Sequence, residues 1–155
     1  MCIRDSFYTD HYLITLPDAH KFPVNKYGMV RQLLQHDGQF HFEPAPPATV
    51  AALELVHDPS YVRDFLIGAL PHSAMRRIGL PWSETLVARS LASVGGALAA
   101  TQDALRHGWG GTLGGGTHHA FRAEGSGFCV FNDIAVAIRS LLSERRVRRA
   151  SRPLP

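Results

Sequence analysis

The chain has 155 residues, 45% hydrophobic and 19% charged, which is the composition of one globular domain and not of a disordered segment. No apolar run approaches the roughly 18 residues of a membrane span, no basic-then-apolar leader opens the chain, and only two cysteines, Cys2 and Cys129, argue against a disulfide framework and for a reducing, cytoplasmic setting. The formal charge of +3 is local: five arginines between Arg145 and Arg152 against Glu144 contribute +4 and leave the rest at −1, a short solvated charge run rather than a nucleic-acid footprint.

In chain order, Phe7-Tyr8 reads as the remnant of a strand, and Asn25 as the cap of a helix through Tyr27, Val30, Leu33 and Leu34 that stops at Asp37-Gly38. Phe40 and Phe42 alternate with polar neighbours, a strand signal closed by Pro44, Pro46 and Pro47. Thr49 caps a short helix through Leu53 and Val56. Asp58-Pro59 opens another, with Tyr61, Val62, Phe65 and Leu66 on its apolar face. The longest helix runs from Ser83 to His107-Gly108, striped by Val87, Leu91, Val94, Leu98, Thr101 and Leu105. Gly95-Gly96 inside it costs about 1 kcal/mol per glycine relative to alanine, which close packing against another backbone would offset. A strand at Gly110 to Leu113 precedes a glycine run, and a last helix starts at Asn132-Asp133 with Ile134, Ala137, Ile138, Leu141 and Leu142 on one side. Alternating strands and helices favour an α/β sheet, whose ligands gather at the carboxyl ends of its strands.

The chemistry concentrates in Gly114-Gly115-Gly116-Thr117-His118-His119, followed by Gly127-Phe128-Cys129 and Asn132-Asp133. Glycines let a backbone approach a neighbour closely. Two adjacent imidazoles can hold one proton acceptor and one proton donor at once near neutral pH.

This order resembles the zinc-dependent histone deacetylase family, in particular its bacterial and class IV-like members. Asp10-His11, the segment from His20 to Tyr27, and His57-Asp58-Pro59-Ser60-Tyr61-Val62 match further landmarks in the family's order. The resemblance implies an arginase/deacetylase-type α/β fold, a parallel sheet flanked by helices, incomplete in this chain. It divides the chain into residues 1–6, a non-native leader; 7–149, the N-terminal part of a deacetylase-like domain; and 150–155, an aberrant tail. It implies hydrolysis of acetyl-lysine or a related acyl amide, with an acetylated lysine side chain or a small acylated amine as partner. An acetylpolyamine-type amidohydrolase and a non-enzymatic truncated product are the alternatives. His119 becomes the general base and acid, His118 its electrostatic and proton-relay neighbour, and Gly127 with Phe128 the wall of the tunnel that admits the acylated side chain.

The family's zinc is held by two aspartates and a histidine that follow the helix begun at Asp133. From Ser143 to Pro155 there is no Asp or His, and Arg148 to Pro155 stands where an apolar strand bearing Asp-x-Asp-x-His is expected. The expectation is therefore a fragment that supplies no metal ligands, binds no zinc and is inactive alone. Beside the resemblance, the residues themselves suggest plainer roles. Cys129 reads as a small buried neighbour of the site, Phe121 and Phe131 as core, and Asn132 and Asp133 as caps of the last helix. Asp10, His20 and Tyr27 read as loop anchors, and His57 beside Asp58 as a histidine before a helix cap or as half of a metal site.

Overall fold

Strand β1 (Arg4–Tyr8) lies between β2 (Phe40–Pro44) and β3 (Gly111–Thr112) and runs parallel to both in the computed structural model, which describes residues 4–150. Arg4 pairs with Phe40 and Tyr8 with Pro44, while Ser6 and Phe7 pair with Gly111 and Thr112. With helices packed around this sheet, the class is α/β, as expected. Residues 4–6, expected to be a foreign leader, are part of β1. Ser6 is buried, and a Cβ on Gly111 would stand 2.7 Å from the Trp109 ring and 2.9 Å from Ser6 Oγ, so glycine is needed at that position of the pairing. The rest of the expected leader, 1–3, and most of the expected tail, 151–155, lie outside the described residues.

The local signals place most helices. Helix α1 (Lys26–Gln35) follows Asn25, although that side chain makes no capping bond; the helix is instead tied to the sheet end by Arg31, which binds the Asp10 carboxylate at 2.7 Å. In α2 (Val50–Glu54) the Thr49 side chain accepts from the Ala52 amide, and in α3 (Pro59–Leu66) Asp58 accepts from that of Ser60. Helix α4 (His72–Ile78) was not expected. Its N-cap is Pro71 without a side-chain bond, only Ile78 is buried, and its clearest punctuation is the left-handed Gly79 at its end.

Helix α5 (Glu84–His107) is capped by Ser83, whose Oγ accepts from the Leu86 amide, and closed by left-handed Gly108. It packs on β1, β3 and α6 (Asp133–Ser143). The expected stripe faces the core as far as Leu98, with Val94 buried and Val87, Leu91 and Leu98 packed beside it, but the helix also buries a face of small residues that the stripe did not include. Ala92, Ser93, Val94, Gly95, Gly96 and Ala100 are buried, while Leu105 is exposed. Small residues win because the helix lies directly on the backbone at Pro46–Ala48. A Cβ on Gly95 would stand 1.8 Å from the Pro46 carbonyl oxygen, and the Ala48 amide donates to the Leu91 carbonyl at 2.9 Å. That approach is the expected offset for Gly95, whereas Gly96 makes room for the side chains of Ala45, Thr112 and Phe7. The main core, with Leu53, Tyr61, Phe65, Ile78, Leu86, Phe131 and Val136, fills the space between α3, α5 and α6. Among the described residues no helix is long and apolar enough to cross a membrane.

Candidate active site

The glycine run leaves β3 and passes over Thr9 and the start of α6, and each of its three glycines answers a separate constraint. A Cβ on Gly114 would stand 2.1 Å from Thr9 Oγ1, and one on Gly115 would stand 2.6 Å from Asp133 Oδ2. Gly116 has open space around it but a φ of +87°, which side-chain-bearing residues rarely adopt. Ser93 Oγ donates to the Gly114 carbonyl at 2.6 Å and fixes the run against α5.

Asp133 is fully buried, and its carboxylate turns back to this loop. Oδ2 accepts the Gly116 amide at 2.7 Å and Oδ1 the Thr117 amide at 2.9 Å, while Thr117 Oγ1 donates to the Phe131 carbonyl at 2.6 Å. Burial pushes the Asp133 carboxyl above the usual carboxylate range, opposed by the amides of Gly116, Thr117 and Ile134 and by the Thr117 hydroxyl. The sequence reading of Asn132 and Asp133 as two caps of one helix is thus corrected. Asn132 alone caps α6, through Oδ1 and the Ala135 amide, and Asp133 organises the loop that carries the histidines.

The imidazoles of His118 and His119 lie with centroids 4.1 Å apart, tilted by 40°, and both residues are solvent-exposed. His118 Nδ1 lies 2.8 Å from the Gly116 carbonyl oxygen. A carbonyl only accepts, so Nδ1 carries the proton and the Nε2 lone pair remains available. A Cβ on Gly127 would sit 3.4 Å from Cγ and Cδ2 of His119, so the bare backbone of Gly127 faces that ring.

Gly127 and Phe128 are the two central residues of a turn in which Ser126 and Cys129 exchange backbone hydrogen bonds at 3.0 and 2.9 Å. Both have positive φ, +54° and +66°, as a type I′ turn demands. For a phenylalanine that backbone costs about 1–3 kcal/mol. The turn hangs on α4: Gly127 N–H donates to the Arg77 carbonyl at 3.2 Å and Phe128 N–H to that of Ile78 at 2.8 Å. The Phe128 ring, 37% exposed, stands 5.2 Å from that of Phe22 and 5.8 Å from that of His20. His20 Nε2 donates to the Gly79 carbonyl at 2.8 Å, and its Nδ1 accepts from the Phe22 amide at 3.1 Å. His20 is therefore an anchor, as the plain reading had it. Tyr27 and Phe22 stack around buried Arg89, whose guanidinium lies 4.7 Å from the Tyr27 ring centroid.

The structure thus sets His118 beside His119 and Gly127 against the His119 ring, while Phe128, next in the turn, packs beside Phe22 and His20. It separates others. His57 is buried with both ring nitrogens in use: Nδ1–H donates to the Phe121 carbonyl at 2.9 Å, and Nε2 accepts the Asn132 amide at 2.9 Å. Burial holds its pKa below the ordinary histidine value, so it is neutral, and the metal half-site reading fails. Phe121, expected in the core, is 65% exposed, because its backbone is committed to His57 and to the Glu124 carbonyl and the turn throws its side chain outward. Phe131 and Cys129 are buried as expected, and burial pushes the Cys129 thiol up. Among the described residues no group of three or more His, Cys, Asp or Glu side chains could hold a metal ion, and two adjacent imidazoles fall short of the three protein ligands of a catalytic zinc. The residues present therefore do not fit zinc by themselves.

Comparison with known proteins shows the family and the fold. A family profile described as "Histone deacetylase domain" matches residues 20–151. An uncharacterized protein of Picosynechococcus is 44% identical over 138 residues, covering 86% of this chain and 46% of its own length. The acetoin utilization protein AcuC of Staphylococcus xylosus is 32% identical over 145 residues, covering 84% of this chain and 37% of its own. Among solved structures, a histone deacetylase homologue from Aquifex aeolicus superposes with a TM-score of 0.70 at 23% identity, over 93% of this chain and 42% of that one, and so shares the fold. The chain spans less than half the length of these relatives. On the profile match and the sequence relatives together, it belongs to the histone deacetylase family.

Proposed function

We propose that this chain carries the proton-handling and tunnel-wall part of a deacetylase site that hydrolyses acetyl-lysine or a related acyl amide, with the zinc ligands supplied by sequence it does not contain. The observation that supports this most directly is the His119 ring lying against the bare backbone of Gly127, with His118 at 4.1 Å and Phe128 next in the turn. Amide hydrolysis needs an activated water, a polarised carbonyl and a proton for the departing amine. Of these, the described residues offer the proton transfers, from the water and to the amine. In this reading His119 takes the proton from water and gives it to the amine, and His118, proton on Nδ1 and lone pair on Nε2, is its relay partner. Phe128 offers an aromatic face for an aliphatic stem.

A chimera tests the reading. Residues 20–149 of this chain would replace the matching stretch of the Picosynechococcus relative, with that relative as the reference, and deacetylation of an acetyl-lysine peptide would be followed. Activity in the chimera that is lost on His119→Ala supports the assignment. A folded, zinc-loaded chimera without activity, or one indifferent to His119→Ala, overturns it.

A further inference from the structure

We propose that the open face of α4 is a substrate subsite, which seats a bulky apolar side chain and an adjacent carboxylate in the segment flanking the acylated residue of a peptide or protein. His72, Met75, Arg76 and the closing Gly79 are spaced by three, one and three residues, so they share one face of the helix. With Leu70, Leu80 and Trp82 that face lines a recess of about 560 Å³, the size of a small-ligand pocket. Its floor is rigid. The Trp82 indole N–H donates to the Phe65 carbonyl at 2.8 Å, and the ring lies so close to Gly68 that a Cβ there would stand 3.0 Å from it. Leu80 is buried, whereas 38% of Trp82 stays exposed. A pinned aromatic face takes up an apolar side chain with little entropy of its own to lose.

The polar edge of the recess offers donors. Arg76 Nη1 donates to His72 Nδ1 at 3.2 Å, which leaves the His72 Nε2–H and the remaining guanidinium N–H groups for a ligand. No carboxylate lines the recess, and among the described residues Arg76 has no anionic partner, while its neighbour Arg77 is engaged by Glu124 at 3.1 Å. A guanidinium takes a carboxylate through two parallel hydrogen bonds, so the complement of this edge is an acidic group set beside the apolar one on the floor. Gly79 ties the recess to the histidine site. It stands in the wall, and a Cβ on it would lie 3.0 Å from the Phe128 ring, whose own amide hangs from the Ile78 carbonyl. An extended peptide rises only about 3.3 Å per residue, so a chain with its acylated side chain at Phe128 carries a near neighbour onto α4. A small acylated amine has no such flank. The identity of this occupant rests on the deacetylase reading, whereas the recess can be probed without turnover.

The test is an NMR titration of the 155-residue chain with two acetyl-lysine peptides. Each carries a leucine a few residues from the acetyl-lysine, followed by a glutamate in one peptide and a glutamine in the other. The glutamate peptide should shift the Trp82 indole resonance and bind about three- to fivefold more tightly at low salt. That ratio should fall to one in Arg76→Gln, a change at an exposed position. Serine in place of the leucine should weaken binding to both proteins. Equal binding of the two peptides, a preference that survives Arg76→Gln, or shifts confined to residues away from α4 and Trp82 overturns the proposal. Self-association of the chain that Arg76→Gln abolishes would assign the recess to a second copy and equally overturns it. In the chimera the same preference should appear in kcat/KM, and an active chimera indifferent to the glutamate refutes the subsite. A chimera without turnover counts against the reading of the histidine site, and the titration then decides by itself whether the recess takes an acidic, apolar segment.

Discussion

Gly115 stands so close to Asp133 that a Cβ on it would lie 2.6 Å from the Oδ2 atom of that buried carboxylate. Atoms at that separation must move, and neither the loop backbone nor a fully buried side chain moves freely. Gly115→Ala should therefore destabilise the chain by about 1–3 kcal/mol. Gly116→Ala meets open space and should lose about 1–2 kcal/mol from its left-handed backbone alone. Urea unfolding of both variants checks this, and a stability for Gly115→Ala equal to that of the unaltered chain would contradict the packing described.

Phe128 inverts the usual ranking of alanine over glycine. At φ +66°, Phe128→Gly relieves backbone strain, whereas Phe128→Ala retains it, and both lose the contact with Phe22. Phe128→Gly is expected to be more stable than Phe128→Ala by about 1 kcal/mol. In the chimera both changes should weaken substrate binding more than they slow the chemical step if the ring walls the tunnel as proposed. The reverse order in a melting experiment would count against the type I′ turn.

His57 gives stability a defined pH dependence. Burial lowers its folded pKa below the unfolded value of about 6.5. Between the two values the unfolded chain binds more protons, so stability rises with pH there. The contribution is complete above the unfolded pKa and is lost as pH falls through the folded one, when Nε2 gains a proton and can no longer accept the Asn132 amide. Urea midpoints at about pH 7.5, 6.5 and 5.5 should fall with acidity in the unaltered chain and fall less steeply in His57→Gln. Parallel slopes would show that His57 is not the group responsible.

Purified chain with added zinc is expected to turn over no fluorogenic acetyl-lysine substrate. In the proposed reading the described residues would supply a proton relay and part of a wall, and they hold no set of three metal ligands. Turnover that survives further purification and disappears with a chelator would refute this expectation.

Much of this structure was legible from residue order because its signals are local. Thr49, Asp58 and Ser83 each cap a helix with their own side chain, and Gly108 closes α5 in the left-handed conformation. The proximity of the two histidines to the following glycine was legible for the same reason, since all lie within one stretch of loop. What escaped depends on partners distant in sequence. Nothing in the letters of Asp133 separates a helix cap from a carboxylate that gathers amides 16 and 17 residues earlier. His57 bridges to segments 64 and 75 residues away, so its neighbour Asp58 was misleading company. Helix α4 lacks both a side-chain cap and an apolar stripe, and only its packing under the Gly127-Phe128 turn reveals its purpose.

That turn owes its placement to the last carbonyls of α4, and His20 grips the same helix end through Gly79. Entrance and floor of the site are consequently built by different parts of the chain, joined where Gly127 meets the His119 ring. Lengthening or shortening the connection between α3 and α4 would carry the entrance with it and leave the histidine loop on its own foundations at Thr9, Ser93 and Asp133. If Phe128 walls the tunnel as proposed, trimming residues around Gly68 to Pro71 would recut the doorway from a segment that touches neither histidine.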